Sequence, residues 1–139
     1  MLTDDLVKNA TAFHGHLGPF LIIGLRMGLL AREKLKPKEI HSLKAIVKTK
    51  LKAPYSCIID GIQVSSLCTL GKNNISVLES DILEAVFESK TNKIKISVKD
   101  EVVNKIISLK LKRDSPEMMK FSDNVKNFKD SELFEIEIY

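Results

Sequence analysis

A chain of 139 residues, 44% hydrophobic and 29% charged, is long enough for one hydrophobic core and too short for two, and its composition excludes a disordered polymer. With 6% aromatic residues and no Trp, few platforms exist on which single-stranded nucleic acid could stack. The net charge of +4 comes from 22 basic and 18 acidic residues that are dispersed rather than gathered, and no recognition helix, zinc finger or aromatic-basic motif accompanies them, so nucleic acid is not an expected partner.

Met1 to Lys8 is polar and carries Asp4 and Asp5, unlike the basic and apolar start of a signal peptide. A short helix is predicted from Thr3 to Thr11, and a long one begins at Pro19, which suits a first helical turn because its missing N–H would be unpaired there. Leu21, Leu25, Gly28, Leu29 and Leu35 recur along it at helical spacing, and Lys36-Pro37 closes it. The apolar run from Leu17 to Ala31 is interrupted by Arg26 and is shorter than the roughly 20 residues needed to cross a bilayer, so a cytoplasmic protein is expected. Leu43 to Leu51 alternates apolar with polar residues, as a strand with one wet face does.

Tyr55 to Leu70 reads as one buried helix, followed by strands over Ile75 to Glu79, Leu83 to Ser89 and Lys93 to Lys99 in an antiparallel meander. Asp100 is placed to cap a further helix, Ser115-Pro116 opens another, and Leu133 to Tyr139 is a final strand. Helices and strands do not alternate strictly, so the expected fold is a single α+β domain with a largely antiparallel sheet packed against helices.

Two segments carry chemistry. In Phe13-His14-Gly15-His16-Leu17-Gly18-Pro19 two imidazoles stand ahead of the long helix, where a turn at Gly15 would let both face one ligand. Neutral imidazole binds zinc, nickel and related ions and also moves protons near neutral pH. The bland alternative is a histidine that only caps a helix or bonds a loop carbonyl. In the second segment Asp60 lies one turn from Cys57, and a thiol beside a carboxylate near a helix start suits a polar cluster or a metal site. If Cys57 and Cys68 share one helix, their thiols lie on one face but roughly 16 Å apart along its axis, too far to share an ion or form a disulfide. Cys68 by itself is equally a buried space-filler. Lys72, in the turn Gly71-Lys72-Asn73-Asn74, is either an anion contact or a solvated cation.

Taken together, the His-Gly-His segment, Gly24-Leu25-Arg26-Met27-Gly28, Cys57-Ile58-Ile59-Asp60-Gly61-Ile62-Gln63 and Cys68-Thr69-Leu70-Gly71-Lys72-Asn73-Asn74 resemble the FmdE family of formylmethanofuran dehydrogenase-associated proteins. The ending Glu132-Leu133-Phe134-Glu135-Ile136 resembles the family's final strand. The resemblance implies an α+β fold similar to the catalytic domain of glyceraldehyde-phosphate dehydrogenases and a homodimer. It also implies an archaeal-type, methanogenesis-related role beside the molybdenum or tungsten enzyme that fixes carbon dioxide onto methanofuran, whose component chains are the expected partners. A metal-binding accessory or cofactor-handling protein follows as the first functional expectation, with His14, His16, Cys57 and Asp60 around a divalent ion, zinc or nickel. Arg26, Gln63, Cys68, Lys72 and Asn74 are the expected substrate or anion contacts. The alternatives are a non-catalytic interaction protein and an enzyme with Cys57 as nucleophile and His16 as base on a small anionic or pterin-like substrate. Departures from the family pattern are Gly18 where Cys is common, Leu67 and Asn73 where Gly is usual, and no C-terminal zinc ribbon.

Overall fold

The computed structural model describes residues 2–139. Helix α1 (Asp4–His14) starts where the Thr3 hydroxyl accepts a hydrogen bond from the Leu6 N–H, and Asp4 and Asp5 in its first turn favour the positive end of the helix dipole. It runs three residues beyond the expected stop at Thr11, because nothing between Ala12 and His14 breaks a helix. Gly15 does, at φ +104°, with its N–H bonded to Thr11 O. Helix α2 (Pro19–Leu35) begins on the proline and ends at Lys36, in the left-handed region just before Pro37.

Strand β1 (Lys44–Thr49) is followed by helix α3 (Cys57–Ser66) and strand β2 (Ile75–Glu79). Helix α3 is shorter than the predicted span to Leu70. Leu67 turns left-handed at φ +65°, and Cys68 lies beyond the helix with its N–H donating to Ser66 Oγ. Strands β3 (Glu84–Glu88) and β4 (Lys93–Val98) form a hairpin, and helix α4 (Asp100–Leu109) follows. Asp100 lies in the first turn of α4 rather than capping it; the cap position is Lys99. Helix α5 (Pro116–Asn127) is capped by Ser115, whose hydroxyl accepts from Met118 N. A single turn, α6 (Asp130–Leu133), leads into β5 (Phe134–Ile138), so the last strand starts one residue later than expected.

The five strands make one mixed sheet in the order β2-β1-β3-β4-β5, an α+β fold in a single domain. The expected three-strand meander is corrected at β2, which pairs in parallel with β1 through the α3 crossover (Val47 opposite Val77) instead of with β3. One sheet face, with Ala45, Val47, Ala85, Phe87, Ile94 and Ile96, is buried. Helix α2 packs on it over β3 and β4, and α1, α3 and α5 cover α2 in turn. The opposite face is wet and holds the ion pairs Lys48–Glu84 at 3.5 Å and Lys95–Glu137 at 3.0 Å.

The α2–α3 contact fixes where Cys57 stands. A Cβ on Gly61 would lie 2.4 Å from Leu21 O, and one on Gly24 would lie 2.3 Å from Ile58 O, so both positions exclude any side chain. The two backbones therefore meet directly, and the start of α3 is held against the start of α2. No helix among the described residues is long and apolar enough to cross a membrane.

Candidate metal centre

Three chain segments deliver the cluster. The end of α1 carries His14, the reversal at Gly15 turns the chain, and His16 precedes α2; the first residue of α3 is Cys57. His14 thus belongs to a helix rather than to an extended stretch, and it is the left-handed glycine that folds the second ring back. The ring centroids of His14 and His16 lie 4.6 Å apart. One donor atom from each of His14, His16 and Cys57 can be chosen so that all lie within 4.8 Å of one another.

Asp60, one turn into α3 from Cys57, accepts a hydrogen bond from His14 Nδ1 at 2.5 Å. An ionised carboxylate only accepts, so the bond puts the proton on Nδ1 and leaves Nε2 with its lone pair free. A carboxylate behind an imidazole in this way fixes the tautomer and orientation of a metal-binding ring. His14 Nε2 and His16 Nδ1 are both buried with no hydrogen-bond partner among the described residues. A buried polar atom left unpaired costs about 1–3 kcal/mol, so two of them beside a thiol fit a site completed by a bound ion.

The electrostatics keep His16 and Cys57 in their neutral forms. Burial lowers the pKa of His16 from its ordinary 6.5, and the repulsion a second proton would meet from Arg113, and from His14 whenever that ring is charged, lowers it further. Burial raises the Cys57 thiol above 9.0, Asp60 adds to the rise, and Arg113 opposes it. Without an ion, Cys57 is therefore a protonated thiol at neutral pH.

One face of the cluster opens on a cavity of about 290 Å³. Besides His14, His16 and Cys57 its wall includes Phe20, Ile106, Ile107, Lys110, Leu111 and Met118. The wall from α4, α5 and their connection has no counterpart among the residues singled out from sequence. Its members are apolar or singly charged and carry no motif.

The structure places the remaining residues elsewhere. Arg26 donates to Val125 O and to Asp130 Oδ1, both at 2.9 Å, and so ties α2 to the C-terminal helices. Gln63 reaches toward both ends of α3: its Nε2 lies 3.5 Å from Asp60 Oδ1, and its Oε1 accepts from Leu70 N at 3.2 Å. Cys68 is fully buried, and its thiol donates to Leu43 O at 3.5 Å. Asn74 accepts from Thr69 N and donates to Leu43 O, and Lys72 Nζ donates to Thr69 Oγ1. None of these five lines the cavity beside the histidines. Gly18, at the start of α2, does; a Cβ there would make ordinary contacts with Met118 Sδ at 3.8 Å and the His16 ring at 3.9 Å, so the position has room for a Cβ.

The family described as FmdE, molybdenum formylmethanofuran dehydrogenase operon, matches residues 13–135, nearly the whole chain. The chain belongs to the FmdE family. The matched span includes the His-Gly-His segment and both cysteines. Among solved structures, the FmdE fold is shared with a tungsten formylmethanofuran dehydrogenase FmdE-like protein from Syntrophus aciditrophicus, with a TM-score of 0.68 over 98% of this chain and 71% of that one. At 22% identity that likeness is one of fold. A protein of Archaeoglobus fulgidus named as a probable S-adenosyl-L-methionine-binding protein is 33% identical over 74% of this chain. The match spans only 29% of that relative's length.

Proposed function

We propose that this member of the FmdE family is a metal-binding accessory or cofactor-handling protein that holds one divalent transition ion, zinc or nickel, between His14, His16 and Cys57. Two observations together carry the reading: His14, His16 and Cys57 each bring a donor atom within 4.8 Å of the others, and His14 Nε2 and His16 Nδ1 are buried and unpaired. Asp60 serves as the orienting acceptor for His14. Two imidazoles and a thiol suit zinc or nickel better than magnesium or calcium, which prefer oxygen donors. An ion bound there supplies Lewis acidity and a position for an outside ligand.

Cytoplasmic homodimers working beside the component chains of formylmethanofuran dehydrogenase belong to the same reading, as does the likeness to the glyceraldehyde-phosphate dehydrogenase catalytic domain. Sedimentation that returns twice the chain mass of 15.6 kDa supports the dimer, and a monomer removes it. Against the thiol-nucleophile alternative stands the raised Cys57 pKa, since attack needs a thiolate. The test is retention: protein loaded with zinc or nickel and dialysed keeps one equivalent by elemental analysis. Loss of all metal ends the proposal.

A further inference from the structure

The His14, His16 and Cys57 donors form one polar wall of a cavity whose other walls are apolar. Its volume of about 290 Å³ is at the lower end of the range for small-molecule sites, roughly 300 Å³ upward. Phe20, Ile106, Ile107, Leu111 and Met118 offer a ligand body no hydrogen bonds, which excludes sugars and other polyols as occupants. Charge enters at two places. Lys110 lines the cavity; Arg113, outside the wall, acts by its charge on His16 and Cys57, and Asp114 opposes it at His16. Asp60 is already engaged by His14. Three protein donors are also one fewer than the four that a closed tetrahedral site uses.

We propose that the cavity binds a small monocarboxylate with an unbranched or flat apolar body, its carboxylate directed at the metal cluster and Lys110 and its body lying against Ile107, Leu111 and Met118. This selectivity rests on the metal-binding reading above. Polar recognition is confined to one end of the ligand, and burial sets affinity along the rest. Each added methylene therefore tightens binding by about three- to fourfold until the chain outgrows the cavity.

The experiment uses the full chain loaded with cobalt(II), whose visible absorption reports changes at the metal. Acetate, butyrate, hexanoate and 1-hexanol are titrated into the wild type, Leu111→Asp and Met118→Ala. The expected result is a spectral change with each carboxylate, a dissociation constant falling by about tenfold or more for each pair of methylenes added, and no change with 1-hexanol. Both variants should keep one cobalt; Leu111→Asp should lose most of the chain-length dependence, and Met118→Ala should weaken hexanoate more than acetate, which carries the comparison should Leu111→Asp fail to fold. Equal affinity for acetate and hexanoate, a response to 1-hexanol, or a slope unchanged in both variants overturns this proposal while leaving metal binding intact. A wild type that holds none of cobalt, zinc and nickel overturns both.

Discussion

Helix α3 has a cysteine at its first residue and another two residues past its last, and the two surroundings are built on opposite plans. Both thiols are buried, and burial is the main cause that raises the pKa of each. Around Cys68 the polar groups are paired. Its N–H donates to Ser66 Oγ, its thiol to Leu43 O, and Asn74 joins Thr69 N to Ile40 O and Leu43 O. Around Cys57 two ring nitrogens are buried and paired with nothing. Composition and burial alone would treat the two thiols alike. What separates them is whether the neighbours' hydrogen-bonding capacity is spent, and an unspent, buried set of soft donors marks the end of the helix where a ligand belongs.

The largest expected effect breaks that contrast directly. Cys57→Ser should weaken zinc or nickel binding by more than about 100-fold, since even outer partners of metal ligands are worth about 10–100-fold, whereas Cys68→Ser should leave it unchanged. Competition with a chelator of known affinity measures both, and equal losses would erase the distinction between the helix ends. Next comes Asp60→Asn, which keeps the shape but weakens the acceptor behind His14. Metal affinity should fall by about 10–100-fold with little change in the melting of metal-free protein. An unaffected affinity would show that the His14–Asp60 bond does not prepare the ring.

At the other end, Asn74→Ala strands partners on three backbone groups and should cost about 2 kcal/mol of stability in urea unfolding, with metal affinity kept. Metal loss without destabilisation would place function at the wrong end of the helix. The smallest effect is in pH. The folded thiols hold their protons above the unfolded value of 9.0, so their contribution to metal-free stability is full below pH 9.0 and is lost as pH rises through the folded values. His16 works in the opposite range: its folded pKa lies below 6.5, so the unfolded chain takes up the proton first and stability falls as pH drops below 6.5. Cys68→Ala should reduce the alkaline loss in a melting-temperature series, and an undiminished loss would assign it to other groups.

Local signals account for much of what the sequence disclosed. Pro19, Ser115-Pro116 and the alternation through Lys44–Thr49 and Lys93–Val98 act within a few residues, and the elements form where they stand. The extent of α3 was not legible because its apolar spacing continues through Cys68 and Leu70, while the actual stop is a left-handed Leu67, a conformation that leucine rarely signals. Partner choice for β2 was not legible either, since pairing with β1 rather than β3 is decided by the α3 crossover and not by the strand itself. At the site, His-x-His spacing offered two rings but not their direction, which depends on Gly15 ending α1. The meeting with Cys57 depends on Gly24 and Gly61 bringing two helix backbones together. The wall of Ile106, Ile107, Leu111 and Met118 left no chemical mark, because an apolar helix face reads the same whether it meets a core or a cavity.

The most direct test is anomalous X-ray scattering from crystals grown with zinc or nickel and collected at the edge of that element. One peak should stand within coordination distance, about 2.0–2.3 Å, of a nitrogen of His14, a nitrogen of His16 and Cys57 Sγ. A peak at Cys68, or well-ordered His14 and His16 rings turned apart with no ion between them, would contradict it.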